Sequence, residues 1–420
     1  MEKASVISNT LMSVITGFTK LIGGVVLLHL AVKVIGNDNL VFLGQFNSVF
    51  MLCSILAGAG IYTGTVALYE RKKSFLSFRH IGLLALLLLL ISIIVFVVLY
   101  SFAIFNKYNA SNNTFIIALI LLCFFPISEF LLAIINVTQK DKYTYYARTL
   151  SVIFSLFLGW VLINYVSGGA FLINSLYGVS LFLSCLFIFS FLNSSKKKTL
   201  FSAVTNKLTN KDYAPYIKVA VVSIAFMPIS KLITRDELIS VVNKEQASLF
   251  QSFLTLSDAY SVIYVLFLTS FYIKFASKEA NNDILSIFHK TIALLALPLV
   301  VAFILAYFLW PTALKLIFDL EIDKLYSFLH YFILGEVFRY CSLLISYNFI
   351  VRGKSSVALT FEVLQSVLFY LLITQGAAAF MLEGAILGYM LSYSLLFMAL
   401  YLYIFNSYKK NKNMEPSIRC

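Results

Sequence analysis

Stretches of about 20 apolar residues follow one another along almost the whole 420-residue chain. A run of that length crosses the hydrocarbon core of a bilayer as a helix. In lipid every backbone N–H and C=O must find its partner within the protein, which leaves helices or closed barrels. Barrel strands alternate polar and apolar residues, and these runs do not. Charged residues make up only 12% of the chain, about half the share of a soluble domain, so there is too little polar surface to cover a globule in water. The expected class is an all-α polytopic membrane protein.

The runs divide into twelve predicted spans, near residues 9–33, 41–69, 80–105, 113–138, 144–166, 170–193, 214–236, 246–273, 285–309, 326–350, 356–376 and 382–406. Only Met1, Glu2 and Lys3 precede the first apolar segment, which continues to about residue 35. That run continues without a small-x-small cleavage site and is expected to stay as a helix. Lys and Arg in the loops set the orientation. With the amino terminus cytoplasmic, 23 basic residues fall on the cytoplasmic side and 6 on the other. Both termini are then cytoplasmic. The net charge of +13 thereby marks loops beside anionic lipid, not a nucleic-acid groove. Five scattered cysteines form no CxxC or Cys/His pattern, so neither a metal nor a disulfide framework is expected.

The longest cytoplasmic connection, NSSKKKTLFSAVTNKLTNKD, divides the spans six and six. Predicted organisation is a first lobe over 1–193, a basic linker over 194–213, a second lobe over 214–408 and a tail over 409–420. Traces of one pattern recur in both lobes. TGFTKLI at 16–22 matches MPISKLI at 227–233, and FNSVFMLCS at 46–54 matches FQSFLTLSD at 250–258. Parallel six-span repeats place a substrate site between the halves.

Charges inside such spans are expensive and usually face a water-filled space or a partner. Lys20 lies 13 residues before Lys33, roughly 20 Å along a helix at about 1.5 Å per residue, which is too deep for an easy snorkel. It either faces a polar space or pairs with a carboxylate. Lys231 sits nearer the outer end of its span and could snorkel. Arg235 follows it by four residues on the same helical face, and Pro228 precedes it and should loosen the helix. The buried acids are Glu129, Asp258, Glu336 and Glu362. Glu336 and Arg339 are three apart and can pair, either for function or to make insertion cheaper. Asp258 has no cation nearby in sequence and needs one from another helix, or a proton. Gly58 and Gly60, in LAGAGI, suit close helix packing or a flexible point. No P-loop and no large outer loop with acidic or histidine motifs is present, so neither an ATPase nor a membrane-embedded polymerase is favoured.

The two six-span lobes, the basic linker and the cations in spans one and seven resemble the Wzx-type flippases of the MATE-like MOP exporter superfamily. LAGAGI with the following Gly64, LSDAY at 256–260, GEVFR at 335–339 and Pro228 with Arg235 look like the branch of the enterobacterial common antigen flippase and O-antigen translocases. That resemblance implies a bacterial inner-membrane flippase for an undecaprenyl-pyrophosphate-linked oligosaccharide of polysaccharide or lipopolysaccharide biosynthesis. Lys20, Lys231, Arg235 and Arg339 would hold the pyrophosphate. Asp258, Glu336, Glu129 and Glu362 would serve coupling to H+ or Na+, with no other cofactor, and Gly58, Gly60 and Pro228 would serve packing or hinging. A polysaccharide polymerase and chain-length proteins are the implied partners of a monomeric transport unit. The competing expectations are a MATE-like multidrug exporter, which would favour acidic sites, a membrane polymerase, and a peptidoglycan-precursor flippase, which usually carries two more spans.

Overall fold

The structure, a computed structural model, describes residues 2–36, 39–58, 61–62, 64–66, 78–101, 112–138, 141–191, 210–267, 284–318, 326–351 and 354–414. Gly60 and most of the basic linker lie outside them. The described chain is helical, with no strand. In order the helices are α1 (Glu2–Ile35), α2 (Leu40–Gly58), α3 (Phe78–Tyr100), α4 (Asn112–Thr138) and α5 (Asp141–Tyr165). A short 3-10 turn (Gly169–Ser175) leads into α6 (Leu176–Phe191). Then come α7 (Asn210–Val242), α8 (Lys244–Phe267), α9 (Ile284–Phe318), α10 (Tyr326–Val351) and α11 (Ser355–Met414). Eight helical stretches among the described residues are long and apolar enough to cross a membrane. Helices α7, α8 and α9 lie over the spans predicted at 214–236, 246–273 and 285–309.

Two compact units form, one of Met1–Leu232 with Asp258–Leu266, the other of Ile233–Ser257 with Phe267–Cys420. In the first, α2 is the central helix and α3 an outer one. Helix α2 buries Phe42, Phe46, Val49, Phe50 and Cys53, which join Phe96, Tyr100 and Phe125 in an aromatic core. Phe50 meets Phe96 at 6.2 Å and Phe125 at 5.8 Å, both edge-to-face, an arrangement that adds to area burial. Helix α3 instead exposes Leu83, Leu86, Leu87, Leu90 and Ile94, as a lipid-facing helix does. Both helices are predominantly apolar, and neither shows a polar stripe that separates a core face from a lipid face. Periodicity therefore could not tell the buried helix from the lipid-facing one. Helices α1 and α5 come close at glycines: a Cβ on Gly23 would lie 2.2 Å from Val152 Cγ1.

Between α7 and α8 the chain turns at Asn243, with φ 93. Asparagine tolerates this left-handed region. Its side-chain Oδ1 accepts a hydrogen bond from the Gln246 backbone N–H at 2.9 Å, capping the start of α8.

In the second unit α11 is two arms folded against each other. The helix breaks at Phe380 and Met381, where Met381 has φ 54. Beyond the break the arms touch backbone to backbone. A Cβ on Gly384 would lie 1.8 Å from the Gly376 carbonyl oxygen, and one on Gly388 would lie 2.2 Å from that of Leu372. No side chain fits there, so only glycine allows this approach. Gly384→Ala is expected to lower stability by about 1–3 kcal/mol through overpacking. Thermal unfolding of the purified protein checks it, and an unchanged midpoint would contradict the close approach.

Candidate functional site

Four helices of the first unit bring charges and tyrosines together. Lys20, on α1, places its Nζ over the Tyr177 ring of α6, 4.0 Å from the centroid. Arg148, on α5, lies over the Tyr62 ring at 5.7 Å. Such cation–π contacts hold a positive charge without consuming it. Tyr62 is itself positioned by α4, whose Asn136 donates to its hydroxyl at 2.8 Å. Glu129, also on α4, is in electrostatic contact with both Lys20 and Arg148. Its stem lies beside α2: a Cβ on Gly58 would be 3.4 Å from Glu129 Cγ. Tyr145 and Cys185 stand within the same field. Among the described residues the cluster holds two cations and one anion. The Arg148 Nε is buried with no hydrogen-bond partner. A buried donor without an acceptor is costly, and this one belongs to a side chain in electrostatic contact with Glu129, Tyr62, Tyr177 and Tyr145.

The sequence marks Lys20 and Glu129 as costly charges within spans, whereas Arg148, near Lys140 and Lys142, counts among the 23 basic residues of the cytoplasmic side. Arg148 is seven residues inside α5 from Asp141, roughly 10 Å along the helix. Its position just inside an apolar run was the available signal. Tyr62 and Tyr177 were hidden among 25 tyrosines.

Lys231 and Arg235 each have an acceptor on α8. Lys231 Nζ is 2.8 and 3.0 Å from the two carboxylate oxygens of Asp258. This supplies the cross-helix cation that Asp258 needed, from 27 residues earlier in the chain. Arg235, 5% exposed, donates through Nε to Gln251 Oε1, and Gln251 donates onward to Thr255 at 2.8 Å. These contacts tie α7 to α8, and Pro228 lies within α7.

In the second unit Glu336, 1% exposed, is held by three side chains. Ser257 donates to it at 2.6 Å, Tyr389 donates to the same oxygen, and Arg339 pairs with it at 3.4 Å. Arg339 also donates to Ser257 and lies 5.9 Å from the Tyr393 ring centroid. Tyr389 stacks on Phe332 at 4.6 Å. The buried carboxylate is therefore fully engaged in joining α8, α10 and α11. Glu362, on α11, is in electrostatic contact with Tyr347 of α10. Among the described residues no three or more His, Cys, Asp or Glu side chains gather into one group.

Solved structures match this architecture along nearly its whole length. An inward-facing multidrug resistance MATE family transporter of the MOP superfamily matches with TM-score 0.65 and 14% identity, over 96% of this chain and 99% of the other. The outward-facing form matches at 0.68 and 15%, over 96% of each chain. The fold is that of the MOP transporters. A third structure with this MOP fold is a transporter from Pyrococcus furiosus, described as having a binding pocket of reverse polarity that suggests a different function. It matches at 0.69 and 13% identity, over 96% of this chain and 95% of that one. At such identities the likeness shows the MOP fold alone. No protein-family model matches the sequence, and no curated protein is significantly similar to it.

Proposed function

We propose that this protein is an inner-membrane transporter that moves an undecaprenyl-pyrophosphate-linked oligosaccharide from the cytoplasmic to the periplasmic leaflet. The observation that carries the reading is the pairing of Lys20 with Arg148 in one cluster, with buried donor capacity left over. A pyrophosphate headgroup is anionic and strongly hydrated, and taking it through hydrocarbon unaided costs its solvation. Two cations with open N–H donors offset that cost by charge-assisted hydrogen bonds. The surrounding tyrosines offer ring faces and hydroxyls suited to the sugars, while the polyprenyl tail stays in lipid. The carrier changes conformation so that the cluster faces each leaflet in turn. The bias of basic residues to one side supports both termini being cytoplasmic.

A second reading, a multidrug exporter, draws on the fold likeness to multidrug MATE transporters. It requires a cationic cargo to be held by acids. Against it, Glu129 is outnumbered by the two cations of its cluster, and Asp258 already holds Lys231. Proteoliposomes decide between the two. The purified protein is expected to carry a polyprenyl-pyrophosphate-linked oligosaccharide to the opposite leaflet and to leave cationic dyes unmoved. Dye efflux without glycolipid movement would replace this reading with the second.

A further inference from the structure

Glu129 stands in an unusual place for a carboxylate in a site built for anions. It faces Lys20 from α1, Arg148 from α5, and Tyr177 and Cys185 from α6, while Tyr145 and Tyr62 stand beside Arg148. Its stem lies beside Gly58, where a Cβ would meet it at 3.4 Å, in ordinary van der Waals contact. Yet the cations' donors are not spent on it. The Lys20 ammonium rests on a ring face, and the Arg148 Nε has no acceptor. Glu129 thus subtracts charge from the site without blocking it, leaving a cluster of +1 instead of +2.

We propose that Glu129 is the release residue of this transporter, a fixed counter-charge that keeps the affinity for the carried anion low enough for it to leave. The inference rests on the reading of the cluster as an anion site. A carrier must bind its cargo well enough to load and weakly enough to unload. Two buried cations alone would hold a pyrophosphate tightly. A carboxylate several ångströms away repels it, and at an effective dielectric near 20 that repulsion corresponds to a change on the order of 10–100-fold in affinity.

The test uses the full-length protein in lipid nanodiscs, titrated calorimetrically with inorganic pyrophosphate. Glu129→Gln keeps the shape and removes the charge. It is expected to bind pyrophosphate about 10–100-fold more tightly than the wild type and to turn over lipid-linked cargo more slowly in proteoliposomes. Glu129→Asp keeps the charge and is expected to stay within a few-fold of the wild type in both. A Glu129→Gln protein that binds no more tightly than the wild type, with normal membrane levels, overturns the release role and leaves the transport reading standing. Absence of pyrophosphate binding by wild type and variant alike removes the anion site itself.

Discussion

Alanine at Lys20 or at Arg148 is expected to cut the proposed glycolipid translocation on the order of 10–100-fold, with the protein still reaching the membrane in normal amount. Each loss removes charge-assisted donors worth about 1.5–3 kcal/mol to a bound anion, a drop on the order of 10–100-fold. The two together exceed what a transport assay resolves. The protein level should hold because of the cluster's arithmetic. Two cations face one carboxylate, so either single variant leaves a balanced pair of opposite charges. Neither strands an unpaired buried ion, which is the usual cause of misfolding at such sites. Lys20→Arg and Arg148→Lys keep the charge and should retain partial transport. Headgroup translocation in proteoliposomes and quantitative blotting of membranes measure the two quantities. Full transport by both alanine variants would remove the cluster from the mechanism.

The second large effect is on stability. Arg339→Met is expected to destabilise the protein by about 3–5 kcal/mol, because it leaves Glu336 buried without the cation that pairs with it. Tyr389→Phe removes one neutral donor from the same carboxylate and should cost about 1–3 kcal/mol. The double variant Glu336→Gln with Arg339→Met should recover part of the loss, since both charges are then gone. Thermal unfolding of purified protein reads all three. If Arg339→Met unfolds like the wild type and loses transport instead, Arg339 belongs with the cargo, as the sequence resemblance implied, and the buried network is not what it serves.

How much of this was legible follows from which forces leave local traces. Twenty-residue apolar runs report the bilayer directly, so the helical membrane class could be read from them. The division near 376–382 was visible too, and the chain breaks there at Phe380 and Met381 between Gly376 and Gly384. The depth of Lys20 followed from counting to Lys33, and depth is what marks a charge as costly. The partners of the charges did not follow. Asp258 meets Lys231 across 27 residues of sequence, and Glu129 meets Lys20 across more than 100. Nothing local encodes either meeting. Arg148, close to Lys140 and Lys142 in sequence, reads as part of a basic loop, and nothing local marks it as a partner of Glu129. The repeated phrases TKLI and SKLI place one lysine in each half, the first deep and the second nearer the outer end of its span. The structure separates them, with Lys20 on a tyrosine ring and Lys231 on a carboxylate. Inner α2 and lipid-facing α3 could not be told apart by periodicity, since neither carries a polar stripe along one face.

The central claim is that the cluster of the first unit holds the anionic headgroup. The most direct measurement is an experimental structure of the full-length protein in a nanodisc with a polyprenyl pyrophosphate bound. The account predicts pyrophosphate oxygens within hydrogen-bond distance of Lys20 Nζ and the Arg148 guanidinium, with Glu129 turned away from them. A headgroup bound elsewhere, with Lys20 still resting on Tyr177 and Arg148 on Tyr62, would contradict it.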